Sequence, residues 1–160
     1  MHFSYRLIIF LILNFGALAV GGWLMGDAVI GDWYNNLNKA PWTPPGWVFG
    51  AAWTTVMITF SFFMAGFTGR KAQVQGPFLL SPMMILFSLQ WILNVSWNYI
   101  FFNRQLVLAG FADILLLFAV VVAMTYIGIR KGGAIGFWMI PYAGWLVIAA
   151  SLNGYILMCN

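Results

Sequence analysis

Charge is what this sequence has least of. Of 160 residues, three are acidic and seven basic, a charged share of 6%, against the ~25% usual in a soluble domain. A chain that is 63% hydrophobic cannot cover a folded globule with polar side chains. It needs an apolar solvent, and lipid is one. The basic residues Arg6, Lys39, Arg70, Lys71, Arg104, Arg130 and Lys131 are scattered between apolar runs. They form no continuous face, so the formal charge of +4 points to no nucleic-acid partner. Histidine and cysteine are nearly missing as well, with only His2 and Cys159 present. One cysteine cannot close an internal disulfide. The pair offers neither a protein-ligated metal site nor bis-histidine haem ligation. No metal or cofactor is expected, and no nucleophile–base pair marks a catalytic residue.

What the sequence does have is long apolar runs. Charged residues and turn formers divide them at about 7–24, 46–67, 77–102, 106–129 and 134–158. Each is long enough for ~27 Å of helix, close to the thickness of a hydrocarbon core. The expected fold is all-α and integral to the membrane: one domain, a five-transmembrane-helix bundle. The runs lack the ten-residue alternation that a membrane barrel requires. Arg6, the apolar run and Ala17-Leu18-Ala19 imitate a cleavable signal peptide, but the run continues to Leu24 and reads as a first span. Five spans put Arg6, Arg70, Lys71, Arg130 and Lys131 on one side, with Lys39 and Arg104 on the other. The positive-inside rule then makes the N-terminus cytoplasmic in a bacterial-type cell membrane, with the first loop and the C-terminus outward.

Depth along the spans singles out candidate site residues. Asn94 lies ten residues before the turn at Arg104 and Asp113 nine after it, so both sit ~14–15 Å below the surface. Trp97 is a turn shallower. Trp53 lies ~12 Å down from the same side, and Asn153 and Ala149 about 10 and 16 Å. A carboxylate at that depth is costly and faces a cavity or a partner. A lone intramembrane Asn is as readily interhelical glue. Trp23 and Trp138 fit an interfacial belt, whereas Trp53, Trp91, Trp97 and Trp145 lie too deep for one. Several deep indoles around a polar centre suit a flat aromatic ligand. Ala17 and Gly21 have the spacing of a close helix–helix contact.

The first loop, Asp32-Trp33-Tyr34-Asn35-Asn36-Leu37-Asn38-Lys39-Ala40-Pro41-Trp42-Thr43-Pro44-Pro45-Gly46-Trp47, is proline-stiffened and rich in aromatics. Long rigid loops of this kind tend to be functional covers, and this one is expected to act as a lid. The bland alternative is a loop lying in the headgroups.

The stretch WYNNLNKAPWTPPGWVFGAAW, together with LNVSWNYIFF, Asp113-Ile114-Leu115-Leu116-Leu117 and PYAGWLVIAASLN, resembles the signature of the tryptophan-rich sensory protein / translocator protein family, also called the peripheral-type benzodiazepine receptor family. The resemblance runs in the family's order and spacing from about Trp33 to Asn153. It implies a five-helix bundle, commonly a homodimer, that binds protoporphyrin IX and other haem-pathway tetrapyrroles and, in some members, sterols. Carried over by position, it implies a ligand pocket lined by Trp33, Trp42, Phe49, Trp53, Asn94, Trp97, Ala112, Leu116, Trp145 and Ala149, to which the depth argument adds Asp113.

The chain departs from the family pattern in places. Ala40 intervenes between Lys39 and Pro41, Met57 replaces a common tyrosine, and Ala109 stands near the position of a tryptophan found in some members. The sterol-recognition pattern lacks its basic residue after Tyr155, which weighs against a sterol or similar lipid as ligand. The function expected is a tetrapyrrole receptor or carrier with a sensory or transport role. The alternatives are an enzyme-like, light- and oxygen-dependent degradation of porphyrin and a proton-coupled transporter using Asp113.

Overall fold

The computed structural model describes residues 2–70 and 81–160. Among these residues there are helices and turns but no strand. Helix α1 spans Phe3–Met25, a one-turn helix α2 spans Asp32–Asn36, and α3 spans Gly46–Thr68. They are followed by α4 at Pro82–Asn98, α5 at Val107–Gly132 and α6 at Ile140–Cys159.

Among the described residues, four continuous helical stretches are apolar and long enough to cross a membrane. The last, Val107–Cys159, holds 53 residues and contains two helices, α5 and α6, joined by a 3₁₀ turn at Gly133–Met139. They fold back on each other. A methyl group on Gly154 of α6 would meet the ring of Phe111 near the start of α5, and one on Gly128 near its end would meet Gly136. The hairpin accounts for the fifth long helix.

Each boundary has a local cause. Gly26 ends α1 at φ 52° and Gly133 ends α5 at φ 63°, conformations that a Cβ disfavours. Pro45 stands at the N-cap of α3, and Pro82 opens α4 in the first turn, where a missing N–H costs nothing. Pro77, expected to open this span, lies outside the described residues. The expected first loop is more ordered than a simple connector: it holds a 3₁₀ turn at Gly26–Ile30 and then α2.

The five long helices pack in the cyclic order α1–α3–α6–α5–α4, with α4 closing against α1. Their inward faces share one core, in which Met57, Phe60, Phe63 and Met64 of α3 meet Phe87 of α4, Val121 and Met124 of α5, and Leu146 of α6. Lipid tails are as apolar as these side chains, so close contact and hydrogen bonds, more than escape from water, hold such helices together. Asn14 of α1 donates to Ser61 Oγ of α3 at 2.9 Å, with both residues buried. The close-contact spacing at Ala17 and Gly21 serves a neighbour within the chain: a Cβ on Gly21 would meet Asn98 Nδ2 of α4 at 2.7 Å. Outward, Ile12, Trp23, Ile92, Leu108 and Val147 are exposed, as helices facing hydrocarbon require.

Candidate ligand-binding site

Tyr142 of α6 reaches across the ring toward α4. Its hydroxyl accepts from Gln90 Nε2 at 2.7 Å and from Asn94 Nδ2 at 3.1 Å. All three residues are buried, and a buried amide left unmatched costs about 1–3 kcal/mol. Trp53 of α3 lies edge-on to the Tyr142 ring at 6.0 Å and to Trp145 at 6.5 Å. Phe49, one turn above Trp53, meets Trp145 at 5.4 Å. The structure therefore brings Phe49, Trp53, Asn94 and Trp145 around one residue, Tyr142, that sequence reasoning passed over. The signal available was its place in PYAGW, one helical turn before Trp145.

A second aromatic group forms above it. Trp97 stacks on Phe101 at 5.2 Å with planes 11° apart, and Phe102 stands edge-on to Trp97 at 5.5 Å. A π-helical turn over Tyr99–Asn103 sets this geometry. One extra residue in the turn changes the direction of the side chains that follow, and Phe101 and Phe102 are both buried. Trp33 of the loop meets Phe101 at 5.5 Å, and Tyr34 meets Phe102 at 5.3 Å. Lys39 Nζ lies 4.5 Å from the centre of the Tyr34 ring, a cation–π contact. Burial pushes the Tyr34 hydroxyl above its ordinary pKa of 10.0. Phe101 and Phe102 were not singled out from the sequence, because two Phe beside a turn look like any lipid-facing pair.

The loop is tied to the end of α6. Asn38 N donates to Asn160 Oδ1 at 2.9 Å and Asn38 Nδ2 to the carbonyl of Cys159 at 2.9 Å, while Asn160 Nδ2 returns a bond to the carbonyl of Asn38 at 3.3 Å. Trp42 donates through Nε1 to Ser151 Oγ at 3.2 Å and stands edge-on to Tyr155 at 5.4 Å. Trp42 is thus on the outer side of α6, 56% exposed, rather than beside Trp53.

Asp113 of α5 is buried, and Ser96 Oγ of α4 donates to its Oδ1 at 3.1 Å. Ala149 is half-buried on α6, and its carbonyl accepts from Asn153 Nδ2 at 3.4 Å. Ala112 and Leu116 stand apart from the rest. Both are exposed, and Ala112 borders an open depression of about 520 Å³ with Gln105 to Ala109. The reason is the helical period: Asp113, Leu117, Val120, Val121 and Met124 define the inward stripe of α5, and Ala112 and Leu116 fall roughly 100° or more from its centre.

The TspO/MBR family model matches residues 8–158. The chain belongs to the TspO/MBR family. It is an integral membrane protein of that translocator and sensory class. Among its relatives, the tryptophan-rich protein TspO of Archaeoglobus fulgidus is 31% identical over 144 residues, 90% of each chain. The protein of the same name from Chlorobaculum tepidum is 32% identical over 131 residues, 80% of this chain and 79% of the other. The human translocator protein is 27% identical over 128 residues, 76% and 70% of the two.

The departures from the TspO/MBR pattern each have a place in the structure. Ala40 is buried and its carbonyl accepts from Thr43 N at 2.9 Å, so the extra residue is taken up in a turn of the loop. Met57 is fully buried in the core, a polarizable side chain filling the space of a ring. Ala109 is exposed on the rim of the same depression as Ala112.

Proposed function

We propose that this protein is a tetrapyrrole-binding membrane receptor or carrier, taking protoporphyrin IX or a similar flat ligand in the half of the bundle beneath residues 26–45. The observation that carries the reading is that indoles from α3, α4, α6 and the loop gather within one half of a closed helix ring. There Trp53 and Trp145 pack beside the hydrogen-bonded group of Gln90, Asn94 and Tyr142, and Trp33 and Trp97 pack on Phe101. A large π-system gains most of its affinity from such ring faces in a dry pocket, and a few polar groups orient it. In this reading Trp33, Phe49, Trp53, Asn94, Trp97, Asp113, Trp145 and Ala149 line the pocket. Ala112 and Leu116, exposed on the outer face of α5, are not part of it, and Trp42 helps hold the cover in place.

The segment 26–45 serves as a lid. Its support is the set of bonds from Asn38 and Trp42 to the end of α6, reversible contacts that tie the loop over the ring without a covalent closure. Lys39, held near Tyr34, places a positive charge at the mouth, where an anionic ligand group would pass. The excess of basic residues at the opposite end supports a cytoplasmic N-terminus in a bacterial-type cell membrane, with the lid outward. A homodimer, implied by the family resemblance, is part of the same reading and is tested by cross-linking in native membranes.

Titration of the purified protein with protoporphyrin IX tests the reading. Saturable quenching of tryptophan emission, weakened about tenfold by Trp97→Phe through loss of an indole contact, is the expected result. Emission unchanged to high micromolar ligand, with the helical content intact, would remove it.

A further inference from the structure

Among the described residues, five buried side-chain atoms have no hydrogen-bond partner: Trp97 Nε1, Trp145 Nε1, Asp113 Oδ2, Asn153 Oδ1 and Gln90 Oε1. Buried polar atoms are otherwise matched almost without exception. Here the unmatched atoms all lie on α4, α5 and α6.

Their placement is set by independent contacts. Ser96, next in sequence to Trp97, holds Asp113 Oδ1 and so joins α4 to α5 at this level. Gly154, next to Asn153, comes so close to Phe111 that a methyl group there would lie 3.3 Å from the ring, which joins α6 to α5 two residues from Asp113. Ile156, one turn beyond Asn153, packs in the cluster that contains Trp97 and Phe101. Trp145 and Asn153 lie on one stripe of α6, two steps of four residues apart. Gln90 is one turn deeper than Asn94, beside the Tyr142 hydroxyl.

Three of the unmatched atoms are oxygen acceptors and two are indole donors. A ligand that completes this set must carry N–H donors on its accessible edge, with acceptors near them. A closed porphyrin keeps its N–H groups at the centre of the macrocycle, ringed by carbon, and a metal ion removes them altogether. An open-chain tetrapyrrole presents pyrrole and lactam N–H groups along one edge and lactam carbonyls at its ends, and so carries both kinds of partner the unmatched atoms lack.

We infer that Asp113 and Asn153 form an acceptor edge that makes this pocket selective for open-chain tetrapyrroles bearing edge N–H groups over closed, metallated macrocycles. The inference rests on the proposed tetrapyrrole site and adds the ligand class and the residues that choose it. Trp97 and Trp145 donate to the ligand's carbonyl ends, and Asp113 and Asn153 accept from its N–H groups. Discrimination of this kind is strong because the wrong ligand leaves buried polar atoms unpaired.

The test uses the full chain in detergent with three probes: biliverdin, protoporphyrin IX and zinc protoporphyrin IX. Binding is read by tryptophan quenching and by the induced circular dichroism of the bilin, which mere partition into micelles does not produce. The wild type is expected to bind biliverdin about tenfold more tightly than zinc protoporphyrin, the scale of one unpaired buried acceptor. Asn153→Leu and Asp113→Leu should each erase that preference by weakening biliverdin alone. Should Asp113→Leu fail to fold, the wild-type series and Asn153→Leu still decide. Zinc protoporphyrin binding as tightly as biliverdin would overturn the inference and leave the tetrapyrrole site standing. No quenching by any of the three would remove the site and the inference together.

Discussion

At the end of the bundle that carries the α5–α6 turn, Phe63, Met64, Phe67, Met124 and Met139 fill the interior with side chains that need only contact. At the end beneath the loop, the interior holds Asn94, Asp113, Trp145 and Asn153, and much of its hydrogen-bonding capacity is unused. The first arrangement is complete as it stands and serves stability. The second leaves buried donors and acceptors unmatched, which is the contrast the proposed binding site rests on. Tyr142 lies at the border. Its ring packs on Phe60 of the dry core at 5.5 Å, and its hydroxyl anchors the amides of the polar half.

The comparison can be broken or sharpened by mutation. The largest loss of stability is expected from Phe63→Ala in the dry half. Lipid is as apolar as the core, so the transfer share of the usual penalty is absent and the cavity share of about 2–3 kcal/mol remains. Thermal unfolding in detergent should show the loss, with tetrapyrrole affinity unchanged; a fall in affinity would mean the two halves are one unit. Tyr142→Phe comes next. It leaves the Gln90 and Asn94 amides without their acceptor and is expected to cost about 1–2 kcal/mol, while also weakening the ligand. A change in only one of these would move Tyr142 wholly into one half.

Asn38→Ala removes one of the bonds that tie the loop to α6, the one from Asn38 Nδ2 to the Cys159 carbonyl, at an exposed position and should change stability by about 0.5 kcal/mol or less. Stopped-flow quenching should nevertheless show ligand entry and exit both faster by roughly threefold, as expected for loss of one modest contact from a barrier. Unaltered rates would leave the loop a passive connector. The smallest effect is at Tyr34. Burial raises its folded pKa, so its contribution is fully present below the unfolded value of 10.0 and is lost as pH rises through the higher folded value. Unfolding temperature should therefore fall more steeply above pH 10 in the wild type than in Tyr34→Phe.

Much of the scaffold was legible in the sequence because spans in lipid are bounded by charge and turn chemistry. The run expected at 46–67 is the helix Gly46–Thr68, and the run at 106–129 is the helix Val107–Gly132. Depth along a helix could also be counted from a turn, which is how Asn94 and Asp113 were drawn to one level, with Trp97 a turn above them. Direction around a helix could not. In a soluble helix the hydrophobic stripe marks the inward face, but lipid and core are both apolar here. Leu115, Leu116 and Leu117 are chemically alike, yet Leu117 is buried and the other two are exposed. The same ambiguity hid Phe101 and Phe102, whose inward aim depends on the π-helical turn. The tie between Asn38 and Asn160 joins residues 122 apart, and nothing in either segment alone announces the other.

The most direct measurement is photo-labelling with a diazirine-bearing porphyrin, with the modified residues located by mass spectrometry. Label concentrated on peptides containing Trp33, Trp97 and Trp145, and displaced by excess protoporphyrin IX, is the expected result. Label that resists displacement and falls on Leu116, Trp138 or other lipid-facing positions would contradict the claim that the half beneath the loop is a binding chamber.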